Sequence, residues 1–226
     1  MFYTETHLHT AEVSLCAGMP AREGIRCCAE KGYSTVFITD HFKWDFWSQF
    51  GDDVTNKEKV ERFFEGYRQA KDEGEKLGIT VLPAAEISTT FAPNHYLLYG
   101  DDIASFLEQH PEIVTFKEPE PFFETVHRAG MFCVQAHPFR RNCIPTHEGP
   151  DAYEAYNTAP DEYSPDQTEK ALALAAMHAK PITGGSDAHF PNDTGRGGVG
   201  TEQKIETPSD YIAAVRSGSV TPLHRF

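Results

Sequence analysis

STVFITDHF, residues 34–42, is a run of β-branched and aromatic residues that stops on an acid and an imidazole, Asp40 and His41. Such a run reads as a strand buried on both faces. The same ending recurs along the chain. LPAAEIS (82–88) carries Glu86 after a segment too apolar to welcome a free carboxylate. CVQAHPFR (133–140) stops on His137, and TGGSDAHF (183–190) stops on Asp187 and His189. Capping or satisfied packing explains any one such ending. Several independent strands closing on metal-ligand chemistry imply a shared face, because parallel strands of one sheet deliver their C-termini to the same side.

Helical patterns lie between these strands. PAREGIRCCAEKGY (20–33) starts on a proline and stops at Gly32. NKEKVERFFEGYRQAKDEGEKLG (56–78) reads as one long charged helix ending at Gly78. DIASFLEQH (102–110), PEPFFETVHRAG (119–130), SPDQTEKALALAAMHAK (164–180) and TPSDYIAAVRSG (207–218) follow, with DAYEAYN (151–157) as a short strand. Strand–helix alternation predicts an α/β fold with a mostly parallel sheet. Seven or so repeats without a glycine-rich dinucleotide fingerprint favour a closed or distorted barrel over an open sheet. The one long irregular stretch, PFRRNCIPTHEGPD (138–151), has the length of a functional loop.

The opening stretch ETHLHTAEVS (5–14) adds His7 and His9, two apart on a strand and therefore on one face, with Glu12 three residues on. His95 opens the apolar run HYLLYG (95–100) and reaches the same region from the loop before it.

With 226 residues, 39% hydrophobic and 24% charged, the chain is expected to form a single soluble domain spanning 1–226. Its formal charge of −14 repels phosphate backbones and anionic membranes, so long nucleic acid and membranes are not expected partners. Three divalent ions would reduce that to about −8 and concentrate positive charge at one place. Cys16, Cys27, Cys28, Cys133 and Cys143 form no C-x-x-C pair. They read as reduced thiols in a cytoplasm. The sequence opens without a basic-then-apolar leader, and no apolar stretch approaches the ~20 residues of a membrane span.

The succession H-x-H-T (7–10), T-D-H (39–41), strand-end Glu86, His95, H-P (137–138) and S-D-A-H (186–189) resembles the PHP (polymerase and histidinol phosphatase) family over residues 7–189. The resemblance implies a distorted seven-stranded β/α barrel, related to the TIM barrel, that holds two to three divalent metals. It implies one metal on His7, His9, Glu86 and Asp187. A second would lie on Glu86, His95 and His137, and a third on Glu12, His41 and His189. Relatives often carry Asp before H-x-H; here Thr6 stands there, with Glu5 as the nearest replacement.

Mixed imidazole and carboxylate ligands suit Zn, Mn or Fe. Two such ions sharing a carboxylate lower the pKa of a bridging water toward ~7, so the expected nucleophile is a metal-bridged hydroxide attacking phosphorus. Arg140, directly after His137-Pro138-Phe139, is the expected phosphate fork, and Arg196 in DTGRGGVGT (193–201) is a second candidate. Asp40 is expected to orient His41. The expected function is hydrolysis of a small-molecule phosphomonoester. The competing readings are a nucleotide or oligonucleotide phosphodiesterase of the same fold, a carbonyl hydrolase, and a non-catalytic metal-binding domain.

Overall fold

The computed structural model describes residues 1–159 and 165–224. In chain order the first half contains β1 (Phe2–Glu5), α1 (Ala21–Glu30), β2 (Tyr33–Ile38), β3 (His41–Phe42) and α2 (Trp44–Trp47). It continues with α3 (Asn56–Phe63), α4 (Glu65–Leu77), β4 (Thr80–Pro83), β5 (Ala85–Ser88) and β6 (His95–Tyr99). The second half contains α5 (Ile103–Gln109), a 3₁₀ turn (Pro111–Val114), α6 (Pro119–Arg128), β7 (Phe132–Gln135), β8 (Ala152–Asn157), α7 (Pro165–Met177), β9 (Ile182–Gly185), β10 (Val199–Thr201), α8 (Pro208–Arg216) and β11 (Thr221–Pro222). Ser164, the expected start of α7, lies outside the described residues.

These elements build a mixed α/β fold on two sheets. One runs β11-β10-β1-β2-β4 and the other β3-β5-β6-β7-β8-β9. The sheets share chain segments: β2 leads through Thr39 and Asp40 into β3, and β4 leads through Ala84 into β5. Main-chain bonds continue across both joints, from Ala84 N–H to Ile38 and from Glu86 N–H to Asp40. Beyond β1, Leu8 forms an isolated parallel bridge with Ala188, just past β9.

The sheet is less parallel than the alternation suggests. β6 pairs antiparallel with both β5 and β7. The loop of residues 89–94 is too short to carry a crossover helix, so β5 and β6 form a hairpin. β10 also runs antiparallel to β1, within a segment whose glycines masked any strand signal.

Apolar surface is buried in three main places. Leu8, Met19, Ile25, Val36, Ile38, Ala70 and Val81 join β2, β4 and the segment after β1 to α1 and α4. Tyr96, Leu98 and Cys133 join the second sheet to Val60, Phe63, Phe106, Phe122 and Val126 of the surrounding helices. Between the sheets lie Phe37, Leu82, Leu97, Tyr99, Phe132, Val134 and Val199, closed by Tyr211 and Val215 of α8. Each large side chain there contributes roughly 1.5–3 kcal/mol by leaving water. The rings of Phe37, Tyr99 and Tyr211 meet at 4.7–5.1 Å. Tyr99 OH donates to the Thr6 carbonyl at 2.9 Å, so this aromatic floor also holds the strand end that carries His7.

The long charged helix expected over 56–78 is two helices. The chain turns at Phe64, and α4 then passes tightly against the loop after β1. Gly66 permits that approach, since a Cβ there would collide with Thr10 Oγ1 and Asp40 Oδ2.

Candidate metal centre

Strand ends bring eight of the expected ligands together. His7 and His9 flank the Leu8 bridge, and both are fully buried. His41 pairs in register with Glu86. His95 sits opposite Ser88. Because β6 is antiparallel, its first residue lies where the parallel strands have their last ones. That is why a histidine that opens its apolar run still reaches the site. His137 and Asp187 adopt positive φ values of 30° and 51° just past their strands. Left-handed backbone at two non-glycine residues stores strain, and such strain gathers at functional sites.

Glu86 is the hub. Its Oε1 lies 3.0 Å from His95 Nδ1, 3.3 Å from His137 Nε2 and 3.4 Å from His7 Nε2. Its Oε2 lies 2.6 Å from His41 Nδ1 and 3.5 Å from His9 Nε2. Asp187 Oδ1 lies 3.3 Å from His7 Nε2 and 3.2 Å from His9 Nε2. Among the described residues, three sets of donors come within 4.8 Å of one another: His7, His9 and Asp187; His41, Glu86 and His95; His9, His41 and His189.

The protonation pattern follows from this crowding. Burial alone would raise the Glu86 carboxyl, but His95, His41 and His7 hold it well below the usual carboxylate range. Asp187 is held low against burial by His7 and Arg140. Burial pulls the imidazoles down; Asp187, Glu154 and Glu86 reverse this at His7, and Glu86 raises His41 to about 10. At His9, burial and the neighbouring His41 act together and keep the ring neutral.

Four of these atoms bear directly on what the site holds. His7 Nε2, His9 Nε2, His41 Nδ1 and Glu86 Oε2 are buried and lack any hydrogen bond of acceptable geometry. Buried polar atoms are normally satisfied, and leaving one unsatisfied costs about 1–3 kcal/mol. Converging imidazole and carboxylate donors of this kind match the ligand chemistry of divalent transition metals.

Surrounding residues orient the donors. Glu154 Oε1 lies 2.8 Å from His7 Nδ1, and its Oε2 accepts from His137 N–H at 3.0 Å and from Asn157 at 2.8 Å. Glu5 accepts main-chain N–H bonds from Thr6, His7 and Ser186; burial pushes its carboxyl up to about 7. Asp40 is buried beneath the loop after β1. It accepts from Thr10 N–H, Thr10 Oγ1 and Ser14 Oγ, each at 2.7 Å. Ser14 Oγ in turn accepts from His41 N–H, so Asp40 acts on His41 through Ser14, with no direct bond to its ring.

Other expected residues stand apart. Glu12 is not among the grouped donors: both its carboxylate oxygens accept from Ala21 N–H at 3.0–3.1 Å. Pro20, at the cap position of α1, makes no side-chain cap bond, and the helix's free N–H groups draw in the nearby acid. Arg140 does reach the cluster, donating to Asp187 Oδ2 and, at 3.2 Å, to Asn157. Arg196 donates to the Asn192 carbonyl, and the neighbouring glycines answer to packing. A Cβ at Gly197 would run into the Gly185 carbonyl, and Gly198 has a φ of 117°.

Cys16 was not expected here. Burial raises its thiol, but the nearby imidazoles of His189 and His41 outweigh this and pull it down to about 6. Glu154 was missed too, although its charge in the buried strand AYEAYN is the same signal that exposed Glu86.

The PHP-associated family matches residues 165–220. No curated protein sequence matches the chain. A two-domain protein from Bacteroides vulgatus, described as containing a predicted PHP-like metal-dependent phosphoesterase, has a similar structure at 15% identity and TM-score 0.72. The match covers 99% of this chain and 65% of that one, so the chain spans just under two thirds of that relative. PsfC from Pseudomonas syringae matches at 16% identity and TM-score 0.64, covering 99% of this chain and 91% of PsfC. An amidohydrolase from Chromobacterium violaceum, solved with sulfate and no metal, matches at 16% identity and TM-score 0.55 over 85% of this chain and 90% of that one. At these identities the structures establish likeness of fold. The PHP-associated match lies in the C-terminal part of the chain, and a fold like that of the Bacteroides vulgatus protein spans nearly all of it.

Proposed function

We propose that the chain is a metal-dependent phosphoesterase that hydrolyses a phosphomonoester of a small molecule. The observation that carries this reading is the convergence of the four unsatisfied buried donors on His7, His9, His41 and Glu86. His7, His9, Glu86 and Asp187 would hold one cation, and Glu86, His95 and His137 a second, with Glu86 shared. Bound there, such ions supply Lewis acidity and lower the pKa of water toward ~7. The two sheets, their shared segments and the Leu8–Ala188 bridge support reading the strands as a distorted seven-stranded barrel.

The protein's own groups do the rest. Glu154 fixes the His7 ring so that Nε2 faces inward. Arg140 is half-buried beside Asp187, where its guanidinium can turn from the carboxylate to fork onto phosphate oxygens. The formal net charge of −14 disfavours a long polyanion. No disulfide joins the cysteines, which fits the reducing cytoplasm to which we assign the chain.

The test is turnover of p-nitrophenyl phosphate beside bis(p-nitrophenyl) phosphate and p-nitrophenyl acetate, each with and without EDTA. Chelator-sensitive cleavage that favours the monoester supports the reading. Preference for the diester moves the assignment to a phosphodiesterase, and preference for the acetate to a carbonyl hydrolase.

A further inference from the structure

We infer that Asn157 is a positioning residue for phosphate: its side-chain amide holds the Arg140 guanidinium at the edge of the cluster once a cation engages Asp187. This rests on the phosphoesterase reading above and names a residue that serves its phosphate subsite.

Asn157 stands where Glu154, Asp187, Arg140 and the main chain meet. Its Nδ2 donates to Glu154 Oε2 at 2.8 Å and to Asp187 Oδ2 at 3.3 Å. Its Oδ1 accepts from Arg140 Nη2 at 3.2 Å and from Ala159 N–H at 3.2 Å. These partners fix which way the amide faces. Ionised carboxylates only accept, whereas a guanidinium and a main-chain N–H only donate, so the reversed amide would set like against like at each contact.

The amide is carried by regular strand. Asn157 ends β8 and pairs in register with Gly185 of β9, two residues before Asp187. Thr158 N–H donates to the Gly185 carbonyl at 3.2 Å and extends that pairing. Arg140 instead lies in the long loop between β7 and β8. Its guanidinium reaches the cluster through side-chain bonds that include those to Asp187 and Asn157.

A cation acts differently on these two bonds. Asp187 Oδ1 faces His7 Nε2 and His9 Nε2 within one donor group. A cation bound there offsets the carboxylate charge and weakens its pull on Arg140. Asn157 Oδ1 is uncharged and turned toward Arg140 and the main chain, so its bond survives. The Arg140 side chain is 17% exposed against 2% for Asp187, so the guanidinium lies on the solvent side of the ligand, where an incoming phosphate meets it.

The test is binding of inorganic phosphate to Mn²⁺-loaded protein, measured by calorimetry. The wild type is compared with Asn157→Ala, Arg140→Ala and the double variant. Metal per chain is counted by elemental analysis, and Tm checks that each variant is folded. Asn157→Ala should bind phosphate about 10-fold more weakly at unchanged metal content. The double variant should bind no more weakly than Arg140→Ala, because the amide acts through the arginine. Asn157→Ser, milder to the packing, should show the same coupling. A loss that adds in full to that of Arg140→Ala, or one that comes with loss of metal, overturns the proposal and leaves Asn157 a support of Glu154 and Asp187. Unchanged phosphate binding in Asn157→Ala and Asn157→Ser overturns it alone. A wild type that holds its metal and binds no phosphate overturns this proposal and the phosphoesterase reading together.

Discussion

His7 Nδ1 lies 2.8 Å from Glu154 Oε1, and both side chains are fully buried. The carboxylate occupies one ring nitrogen and so leaves Nε2 pointing at Glu86 and Asp187. Partners of this kind set the tautomer and orientation of a ligating imidazole. Glu154→Gln keeps the shape but weakens the hold on the ring. Metal affinity, measured by competition with a chromogenic chelator, should fall about 10- to 100-fold. An unchanged affinity would mean that His7 is oriented by packing alone.

Arg140 bonds to Asp187 and Asn157 at the edge of the cluster. If it transfers to phosphate, Arg140→Ala removes a charge-assisted contact worth roughly 1.5–3 kcal/mol. kcat/KM for a phosphomonoester should then drop about 10- to 100-fold. Arg140→Lys should recover only part of the loss, because an ammonium cannot fork. If the loss falls equally on a carboxylic ester, Arg140 serves Asp187 and not phosphate.

Glu12 caps α1 from outside the helix. Glu12→Ala should cost about 1 kcal/mol, the usual size of a lost cap, and lower Tm by roughly 2–4 °C. Its metal content should match the wild type. A variant of normal Tm that lacks one metal equivalent would return Glu12 to the ligand set.

Glu5 gives the metal-free protein a pH dependence. Its folded pKa, about 7, lies above the ordinary 4.5, because burial disfavours the charged form. The folded state therefore binds this proton more tightly than the unfolded chain does. The stability it contributes is whole below pH 4.5 and is lost as pH rises through 7. In chemical denaturation between pH 5 and 8, Glu5→Gln should show a shallower fall in stability than the wild type. Parallel curves would assign the slope to another group.

Much of this site was legible because strands that end in chemistry announce themselves. STVFITDHF, CVQAHPFR and TGGSDAHF each pair an apolar run with a titratable ending, and all three endings reach the cluster. Less legible was anything set by chain direction or by loops. A hairpin placed His95 at the mouth, and nothing local in HYLLYG reports that its strand runs backwards. Glu12 followed a helix end nine residues away, and the loop that carries Cys16 is tied through Gly18 to His189, far apart in sequence. The break at Phe64 was hidden because both halves share helical spacing.

The claim beneath all of this is that the donors gathered at Glu86 hold metal. Chelator-treated protein should be titrated with Zn²⁺ in a calorimeter, with Glu86→Gln run beside it. The wild type should bind about two to three equivalents and release protons into the buffer, and Glu86→Gln should lose the two that share its carboxylate. A wild type with no saturable binding, or a Glu86→Gln titration that overlays it, would contradict the account.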